Sequence, residues 1–244
     1  MAQYQVLMPI GGLGSRFAKE GYTTPKPLIE VDGKAMFMKA LDSFNGLSDV
    51  DHIFVIRKDQ DDQYDLANQI RERLPAAKIA VMDHDTRGAV ESAMIAEDLI
   101  DENIPITIAD CDIYFESKEY FDKIVQNQAT GSIDGMLLTF ESTDPRYSFV
   151  ELDENSKAIR TAEKVAISNH ALLGGYFFKT GKLFKDLAHE FIDGGLGDLK
   201  EFYVSQLFNI LIAQGGAVEI ATIDVMHIFG TPEELNAYLA LKKD

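Results

Sequence analysis

A glycine-rich loop directly after an apolar run is the feature that most constrains how this chain can fold. The run Tyr4 to Ile10 has the composition of a buried strand, and it leads into Gly11, Gly12 and Gly14. Glycine lets the backbone take positive φ and approach a ligand closely. Backbone N–H groups turned inward by such a loop can form a cradle for an anion. The pattern therefore predicts a strand, a tight turn and a helix.

Two basic residues follow this loop and suit the same anion. Arg16 supplies a planar cation with several hydrogen-bond donors. Lys26 lies between Pro25 and Pro27, which restrict the backbone on both sides of it. The loop is not a Walker A motif, because no G-K-[ST] follows at the required spacing, and it lacks the last glycine of the dinucleotide motif. A lone G-x-G is weak evidence, so the loop alone is also explained as a plain strand-to-helix turn.

The rest of the first half alternates apolar runs with helical spacing. We predict strands at 52–56, 78–82 and 104–109, and helices at 35–45, 61–74 and 89–99. Such alternation indicates an α/β fold with a mostly parallel sheet and helices on both faces. After about residue 133 the pattern changes, and we predict strands at 134–140, 149–152, 158–162, 172–179 and 217–224, with helices at 180–193, 199–214 and 232–242. Residues 153–156 are typical of a hairpin turn, so this half is expected to add antiparallel strands.

Composition narrows the function classes. The net charge of −17 argues against a general nucleic-acid or anionic-membrane surface. Cys111 is the only cysteine, so no internal disulfide can form and a reducing, cytoplasmic location is expected. No basic leader and no apolar run of about 18 residues is present, so we predict neither a signal peptide nor a membrane span.

Asp110 and Asp112 lie where a predicted central strand ends. Ligands of open α/β sheets bind outside the carboxyl ends of the strands. Mg²⁺ prefers one or two carboxylates together with phosphate oxygens, so this pair is a candidate metal site. A D-x-D at a strand end is also common as a plain polar terminus, and the residues alone leave both readings open.

Three further motifs carry candidate residues. The segment D-T-R-G-A-V contains Thr86 and Gly88 before a predicted helix, where Asp85 or Thr86 would serve as an N-cap. Glu163 and Lys164 form an E-K pair, which in most proteins is an exposed ion pair at a strand end. The third motif is G-T-P-E-E-L at 230–235, a sound helix start with Thr, Pro and then acids.

Taken together, these motifs resemble the signature of the nucleotidylyltransferases that make nucleotide-sugars from an NTP and a sugar phosphate. G-S-R-F and G-Y-T-T-P-K-P-L-I-E-V are most similar to the small capsule- and phosphocholine-type cytidylyltransferases. The resemblance implies a Rossmann-like mixed, mostly parallel sheet flanked by helices, as in the GT-A-like nucleotidyltransferase fold. It implies one domain, with 1–133 as the nucleotide-binding half and 134–244 as the acceptor-binding half.

The resemblance also assigns roles. It implies that the nucleotide is bound by the glycine loop and its two cations and, near the base, by the D-T-R-G segment: Gly11, Gly12, Leu13, Gly14, Ser15, Arg16, Lys26, Thr86 and Gly88. It implies that Asp112, with Asp110, holds Mg²⁺, and that the catalytic residues are Arg16, Lys26 and Asp112. For the acceptor it implies Glu163, Lys164, Asn169 and Gly174.

Two departures from the family pattern matter. The proline that usually follows E-K is replaced by Val165, and the second metal-binding Asp, two residues before Gly230, is replaced by Ile228. Asp224 would be the substitute ligand if the strand register differed.

The expected partners are therefore an NTP, with CTP favoured by the resemblance, and a phosphorylated small molecule of surface-polysaccharide synthesis. Nucleic acid and membrane are not expected partners, and a homo-oligomer is compatible with the sequence. Two alternatives stay open: a glycosyltransferase that uses D-x-D to hold a nucleotide-sugar, and a non-catalytic nucleotide sensor.

Overall fold

The structure is a computed structural model that describes residues 3–241. Within that range the strands are β1 (Tyr4–Pro9), β2 (Glu30–Val31), β3 (Lys34–Ala35), β4 (Val50–Arg57), β5 (Lys78–Met82), β6 (Ile106–Ala109), β7 (Ile113–Glu116), β8 (Gly135–Glu141), β9 (Ser148–Leu152), β10 (Ala158–Glu163), β11 (His170–Phe178), β12 (Val218–Thr222) and β13 (Val225–Ile228). The helices are α1 (Ser15–Lys19), α2 (Met36–Leu41), α3 (Lys58–Tyr64), α4 (Leu66–Arg73), α5 (Ala89–Met94), α6 (Lys118–Thr130), α7 (Gly181–Gly194), α8 (Ser205–Ala213) and α9 (Pro232–Leu241). Three short 3₁₀ turns lie at Lys26–Leu28, Asp42–Phe44 and Glu97–Leu99.

The first half forms a parallel sheet in the order β6, β1, β4, β5. Val6 of β1 lies opposite His52 on one side and Thr107 on the other, so the carboxyl ends of these three strands lie at one edge. This confirms the parallel sheet that the alternating pattern predicts.

The second half continues the same sheet mainly with antiparallel strands. β11 pairs antiparallel with β6 on one side and with β8 on the other, and β12 then pairs parallel with β8. The hairpin of β9 and β10 joins the beginning of β11, where Phe149 lies opposite Ala171. Asp153 Oδ1 accepts hydrogen bonds from the backbone N–H groups of Asn155 and Lys157, which confirms the predicted turn. Two small antiparallel pairs, β7 with β13 and β2 with β3, lie outside this sheet.

Helices cover both faces of the sheet because side chains alternate along each strand. Leu7, Ile53 and Ile106 point to one face, where α5, α7 and α8 pack on them. Their neighbours in sequence, such as Val6 and Phe54, point to the other face, where α2, α4 and α6 pack. The mixed α/β fold is therefore as the sequence predicts.

Several predicted bounds are wrong for identifiable reasons. The helix predicted at 61–74 is two helices, because Asp65 between them adopts a left-handed conformation with φ of 53°. The helix predicted at 199–214 begins only at Ser205, because Phe202 commits its N–H and C=O to bonds with Arg87 and Val90.

Other differences concern the end of the chain and one region without a prediction. The strand predicted at 217–224 ends at Thr222, and a second strand, β13, follows it. The sequence analysis assigns no element to 113–130, where β7 and α6 form. The helix predicted at 232–242 is observed to Leu241, and its last residue lies outside the described range.

Over residues 3–241, none of the helices is both long enough and apolar enough to cross a membrane.

Candidate functional site

A continuous cleft lies at the carboxyl ends of β1, β4 and β6. Its largest cavity, about 640 Å³, has the glycine loop on one side and residues 85–89 on the other. Two neighbouring cavities extend it past Arg16 and Lys26 to Asp110 and Asp112. The cleft therefore brings together the glycine loop, both predicted cations, the D-x-D pair and the D-T-R-G segment.

The glycine loop presents free backbone donors to this cleft. Within residues 3–241, the N–H groups of residues 11–14 make no hydrogen bond to protein atoms. Gly14 has φ of 59°, and a Cβ there would lie 3.1 Å from Lys26 Cβ, so this position needs glycine for the fold. A Cβ on Gly12 would meet no protein atom within 4 Å, although Gly12 lines the cleft. The space in front of Gly12 is therefore open to a ligand.

The two predicted cations differ in their partners. Arg16 is exposed, lines the cleft, and its guanidinium has no hydrogen bond or ion pair among residues 3–241. Lys26 Nζ instead forms an ion pair with Asp112 Oδ2, and both side chains are about four-fifths buried. Burial alone would lower the pKa of Lys26, but the charge and the hydrogen bond of Asp112, together with the charge of Asp110, outweigh it and raise this pKa. Lys26 is thus a fixed cation.

Asp110 lies against Gly174 in the floor of the cleft. A Cβ on Gly174 would lie 1.9 Å from Asp110 Oδ2, so the carboxylate occupies the space that any larger residue would need. Desolvation by the surrounding protein, followed by the charge of Asp112, raises the pKa of Asp110; Lys26 opposes this and Glu163 adds to it. Because Asp110 still meets solvent through the open cleft, solvent screens part of this effect.

Cys111 lines the cleft between these two aspartates. Burial raises the pKa of its thiol to about 12, with Lys26 opposing the change and the two aspartates adding to it. The thiol is therefore protonated at neutral pH and is not poised as a nucleophile.

Glu163 and Lys164 do not form the ion pair that is the ordinary explanation of an E-K sequence. Glu163 is half-buried and accepts hydrogen bonds from the hydroxyls of Ser148 (2.7 Å) and Ser205. Lys164 has φ of 56°, so its side chain points elsewhere, with Nζ 3.4 Å from the Tyr203 hydroxyl. The Glu163 carboxylate is thus held in place beside Asp110, and the Lys164 ammonium stays exposed.

The D-T-R-G segment is held by the backbone of Phe202, which crosses over it, and not by the predicted N-cap. Gly88 is the N-cap of α5, and no side chain caps this helix; the Thr86 hydroxyl bonds that of Ser92 at 2.5 Å. Phe202 N–H donates to Arg87 O at 2.8 Å, and Val90 N–H donates to Phe202 O at 3.0 Å. A Cβ on Gly88 would lie 2.4 Å from Phe202 N, so only glycine permits this crossing.

Arg87 lines the largest cavity, but its guanidinium is bound to protein partners. It pairs with Glu91 at 2.8 Å and lies over the ring of Phe202, 4.8 Å from its centroid. Arg87 therefore stabilises the contact between the D-T-R-G segment and Phe202.

Two predicted site residues lie apart from the others. Asp224 is at the far end of the β7–β13 pair, about five residues of strand or roughly 16 Å from Asp112. There its Oδ2 accepts the N–H of Lys118 at the start of α6 (2.8 Å). Asn169 precedes β11 by one residue, five residues from Gly174, and its carbonyl accepts the N–H of Ser142 (3.1 Å).

The position of Asp224 contradicts the alternative register that would make it a metal ligand. Ile228 lies opposite Ile113, next to Asp112, which is where the family's second acid would stand. The register is thus the one the motif implies, with an apolar residue in the ligand's place.

The donor set near Asp112 fits a metal only in the company of a ligand's phosphates. No group of three or more His, Cys, Asp or Glu residues converges on a metal position within residues 3–241. Asp110 and Asp112 both line the cleft and provide two carboxylates. This suits Mg²⁺ bound chiefly through phosphate oxygens, and it does not suit a cage made by protein alone.

Sequence reasoning missed one wall of the cleft. Residues Leu196, Lys200 and Glu201, between α7 and α8, face the glycine loop, as do Arg57 and Met82 from the ends of β4 and β5. The predicted helix at 199–214 concealed Lys200 and Glu201, and Leu196 lies just before it. A usable signal was Gly88, whose lack of a side chain marks the place where another segment crosses.

Comparison with known proteins agrees with this geometry. A family model described as nucleotidyl transferase matches residues 5–195. The chain belongs to the nucleotidyl transferase family. This confirms the family that the motifs indicate, while the particular closeness to capsule cytidylyltransferases stays a prediction. No curated protein matches the chain closely enough to count as a relative.

Solved structures of this family share the fold along the whole chain. A nucleoside-diphosphate-sugar pyrophosphorylase from Vibrio cholerae RC9 is 25% identical with a TM-score of 0.82, over 96% of this chain and 99% of that one. A UDP-glucose pyrophosphorylase complexed with UDP-glucose is 18% identical (TM-score 0.75), and the match covers 100% of both chains. The inositol-1-phosphate CTP transferase of T. maritima is 14% identical (TM-score 0.73), over 98% and 93%.

Proposed function

We propose that this nucleotidyl transferase family member joins an NTP to a phosphorylated small molecule and releases pyrophosphate. The observation that carries the proposal is the glycine loop, which lines the same cleft as Arg16, Lys26 and the D-x-D pair and whose N–H groups at 11–14 have no partner among residues 3–241. A triphosphate is the common small ligand that matches several backbone donors and two cations in a row.

In this reaction an acceptor phosphate oxygen attacks the α-phosphorus of the NTP in line. The new bond joins that oxygen to the α-phosphorus, the α–β bridging bond breaks, and pyrophosphate leaves with the electron pair. Arg16 and Lys26 stabilise the charge that develops on the leaving group. Glu163, fixed by Ser148 and Ser205, orients the acceptor, and Lys164 holds its phosphate from the exposed side. In this proposal residues 1–133 supply the phosphate and base contacts, and residues 134–244 supply the acceptor contacts.

Mg²⁺ is proposed as the cofactor, with Asp112 and Asp110 as its protein ligands. When bound, it would neutralise charge on the phosphates during transfer. In the structure Asp112 is paired with Lys26, so Lys26 must turn toward the phosphates before Asp112 is free to act as a ligand.

The finer assignments rest on motif resemblance. We propose CTP as the nucleotide, since G-S-R-F and P-K-P-L-I-E-V are most similar to the small cytidylyltransferases. One of the structural neighbours is described as a CTP transferase, which supports CTP chemistry on this fold. A role in surface-polysaccharide synthesis and a cytoplasmic location follow from the same resemblance and remain proposals.

The test is pyrophosphate release over a matrix of four NTPs and a panel of phosphorylated metabolites, with Mg²⁺ and with EDTA. We expect release with CTP and one acceptor class, dependent on Mg²⁺ and abolished in Asp112→Asn. A higher rate with ATP or GTP would overturn CTP and leave the reaction type intact.

The same samples separate the two alternatives. Cleavage of a nucleotide-sugar without pyrophosphate release would indicate a glycosyltransferase. Tight NTP binding with no turnover on any acceptor would indicate a non-catalytic sensor, which the apolar Ile228 in place of a metal-binding acid favours.

A further inference from the structure

Glu201 is an acidic residue in a cleft otherwise suited to an anion. It lines all three cavities of the cleft, is exposed, and its carboxylate has no hydrogen bond or ion pair within residues 3–241. Arg16 and Lys26 line two of the same cavities, but neither is within ion-pair distance of it. An unpaired carboxylate beside a triphosphate site repels the ligand unless it accepts a hydrogen bond from another part of that ligand.

The position of Glu201 along the cleft shows which part that is. The cavity beside Thr86 and Gly88 and the cavity beside Lys26 and Asp112 share three lining residues: Pro9, Gly12 and Glu201. A nucleotide with its base in the first cavity and its phosphates in the second has its ribose at this junction. Of the three junction residues, Glu201 is the one whose side chain can form a hydrogen bond.

The backbone next to Glu201 is anchored for such a contact. The next residue, Phe202, is fully buried and is bonded through its N–H and C=O to Arg87 and Val90, at 2.8 and 3.0 Å. Gly88 has no side chain because that crossing passes so close to it. The backbone that forms the base side of the cleft therefore sets where the Glu201 carboxylate can reach.

We propose that Glu201 accepts hydrogen bonds from the ribose hydroxyls and makes the site selective for ribonucleotides, an inference that rests on the proposed function. A carboxylate is an acceptor only, with two oxygens that match the two adjacent hydroxyls of a ribose. Carboxylate recognition of ribose hydroxyls is an established use of acidic side chains in nucleotide sites. The favourable contact offsets the repulsion from the phosphates, which lie in the next cavity.

The test compares affinities for ribo- and 2′,3′-dideoxynucleotides by titration calorimetry in Mg²⁺, with all four bases. Use of four pairs makes the result independent of which base the site prefers. We expect wild type to favour the ribonucleotide by roughly tenfold or more, the size of one charge-assisted hydrogen bond. Glu201→Ala should lose that preference, with ribonucleotide affinity reduced and dideoxynucleotide affinity unchanged or increased.

A control removes the charge of a different acid that lies beside the cleft. Glu233 lines an outer cavity with Arg16, away from the base side. Glu233→Gln should shift both affinities by the same factor and keep the ratio. Glu201 is exposed, so Glu201→Ala should melt within a few degrees of wild type.

Equal losses, or equal gains, for both nucleotide types in Glu201→Ala would overturn the ribose contact and leave the proposed function intact. Failure of wild type to bind any of the four triphosphates would overturn the proposed function and this inference together.

Discussion

Arg16 and Lys26 carry the same charge in different surroundings, and this difference determines what each can do. Lys26 is mostly buried and already neutralised by Asp112, so its removal would leave a buried acid without its partner. Arg16 is exposed and has no protein partner among residues 3–241. Its planar group contributes nothing visible to the fold, which is the condition expected of a residue kept for a ligand.

We therefore expect Arg16→Ala to reduce pyrophosphate release by roughly 10²–10³ and to leave the melting temperature near that of wild type. The reason is that a charge-stabilising donor is lost while no contact of the folded state is broken. Lys19→Ala, one turn further along the same short helix, is the control and should keep most activity. Wild-type turnover in Arg16→Ala would contradict the phosphate-clamp assignment.

At the scale of elements, Gly12 and Gly88 are glycines for different reasons: one for ligand binding and the other for the fold. Gly12 lies in the loop after β1 without positive φ, and a Cβ there would point into open space in the cleft. Gly88 begins α5 with φ of 144°, and a Cβ there would collide with the backbone of Phe202. At Gly12 the missing side chain leaves room for a ligand. At Gly88 it leaves room for the backbone of the segment between α7 and α8.

The two alanine variants should therefore fail in opposite ways. Gly88→Ala should lower the free energy of unfolding by about 2–6 kcal/mol, because a strained φ and an overpacked contact each cost about 1–3 kcal/mol. Gly12→Ala should melt at or above the wild-type temperature, since alanine accepts this backbone conformation and reduces the freedom of the unfolded chain. Its triphosphate affinity should fall at least tenfold. Chemical denaturation measures the free energy of unfolding, and titration calorimetry measures the triphosphate affinity. Unchanged nucleotide binding in Gly12→Ala would show that the loop is not the phosphate cradle.

At the scale of the whole molecule, a protein with net charge −17 is proposed to bind a polyanion. The positive charge of the cleft is local, from Arg16 and Lys26, while the rest of the surface repels the ligand at long range. The Debye screening length decides whether the nucleotide meets the repulsion of the whole surface or only the local attraction of the cleft. It is about 30 Å at 0.01 M salt and about 8 Å at 0.15 M.

The rate of nucleotide association should consequently rise between 10 and 150 mM salt at constant Mg²⁺, because the long-range repulsion is screened first. Stopped-flow measurements with a fluorescent nucleotide would record it. Arg16→Ala, which changes only the local field, should bind more weakly but show the same upward trend. A rate that falls steadily from the lowest salt concentration would show that the cleft's own charge dominates the encounter.

Local patterns in the sequence were enough for the parallel strands, the helices on both faces, the glycine loop with its two cations, and the family. These features depend on residues close together in the chain: the apolar run of β1, helical spacing at 35–45, and prolines on both sides of Lys26. Each leaves its mark within about fifteen residues, so it can be read without the rest of the molecule.

Only the tertiary structure decided how distant segments complete the cleft. The bonds of Phe202 with Arg87 and Val90 join segments more than a hundred residues apart, and they replace a predicted helical turn with the wall that carries Glu201. The register of β13 on β7 places Asp224 roughly 16 Å from Asp112 and puts Ile228 beside Asp112. The contact of Asp110 with Gly174 likewise requires β11 to lie against β6. A glycine such as Gly88 or Gly174 marks a place where another part of the chain comes close, but it does not show which part. The backbone hydrogen bonds and strand register that decide this join residues far apart in the chain, and they leave no local pattern from which to predict the partner.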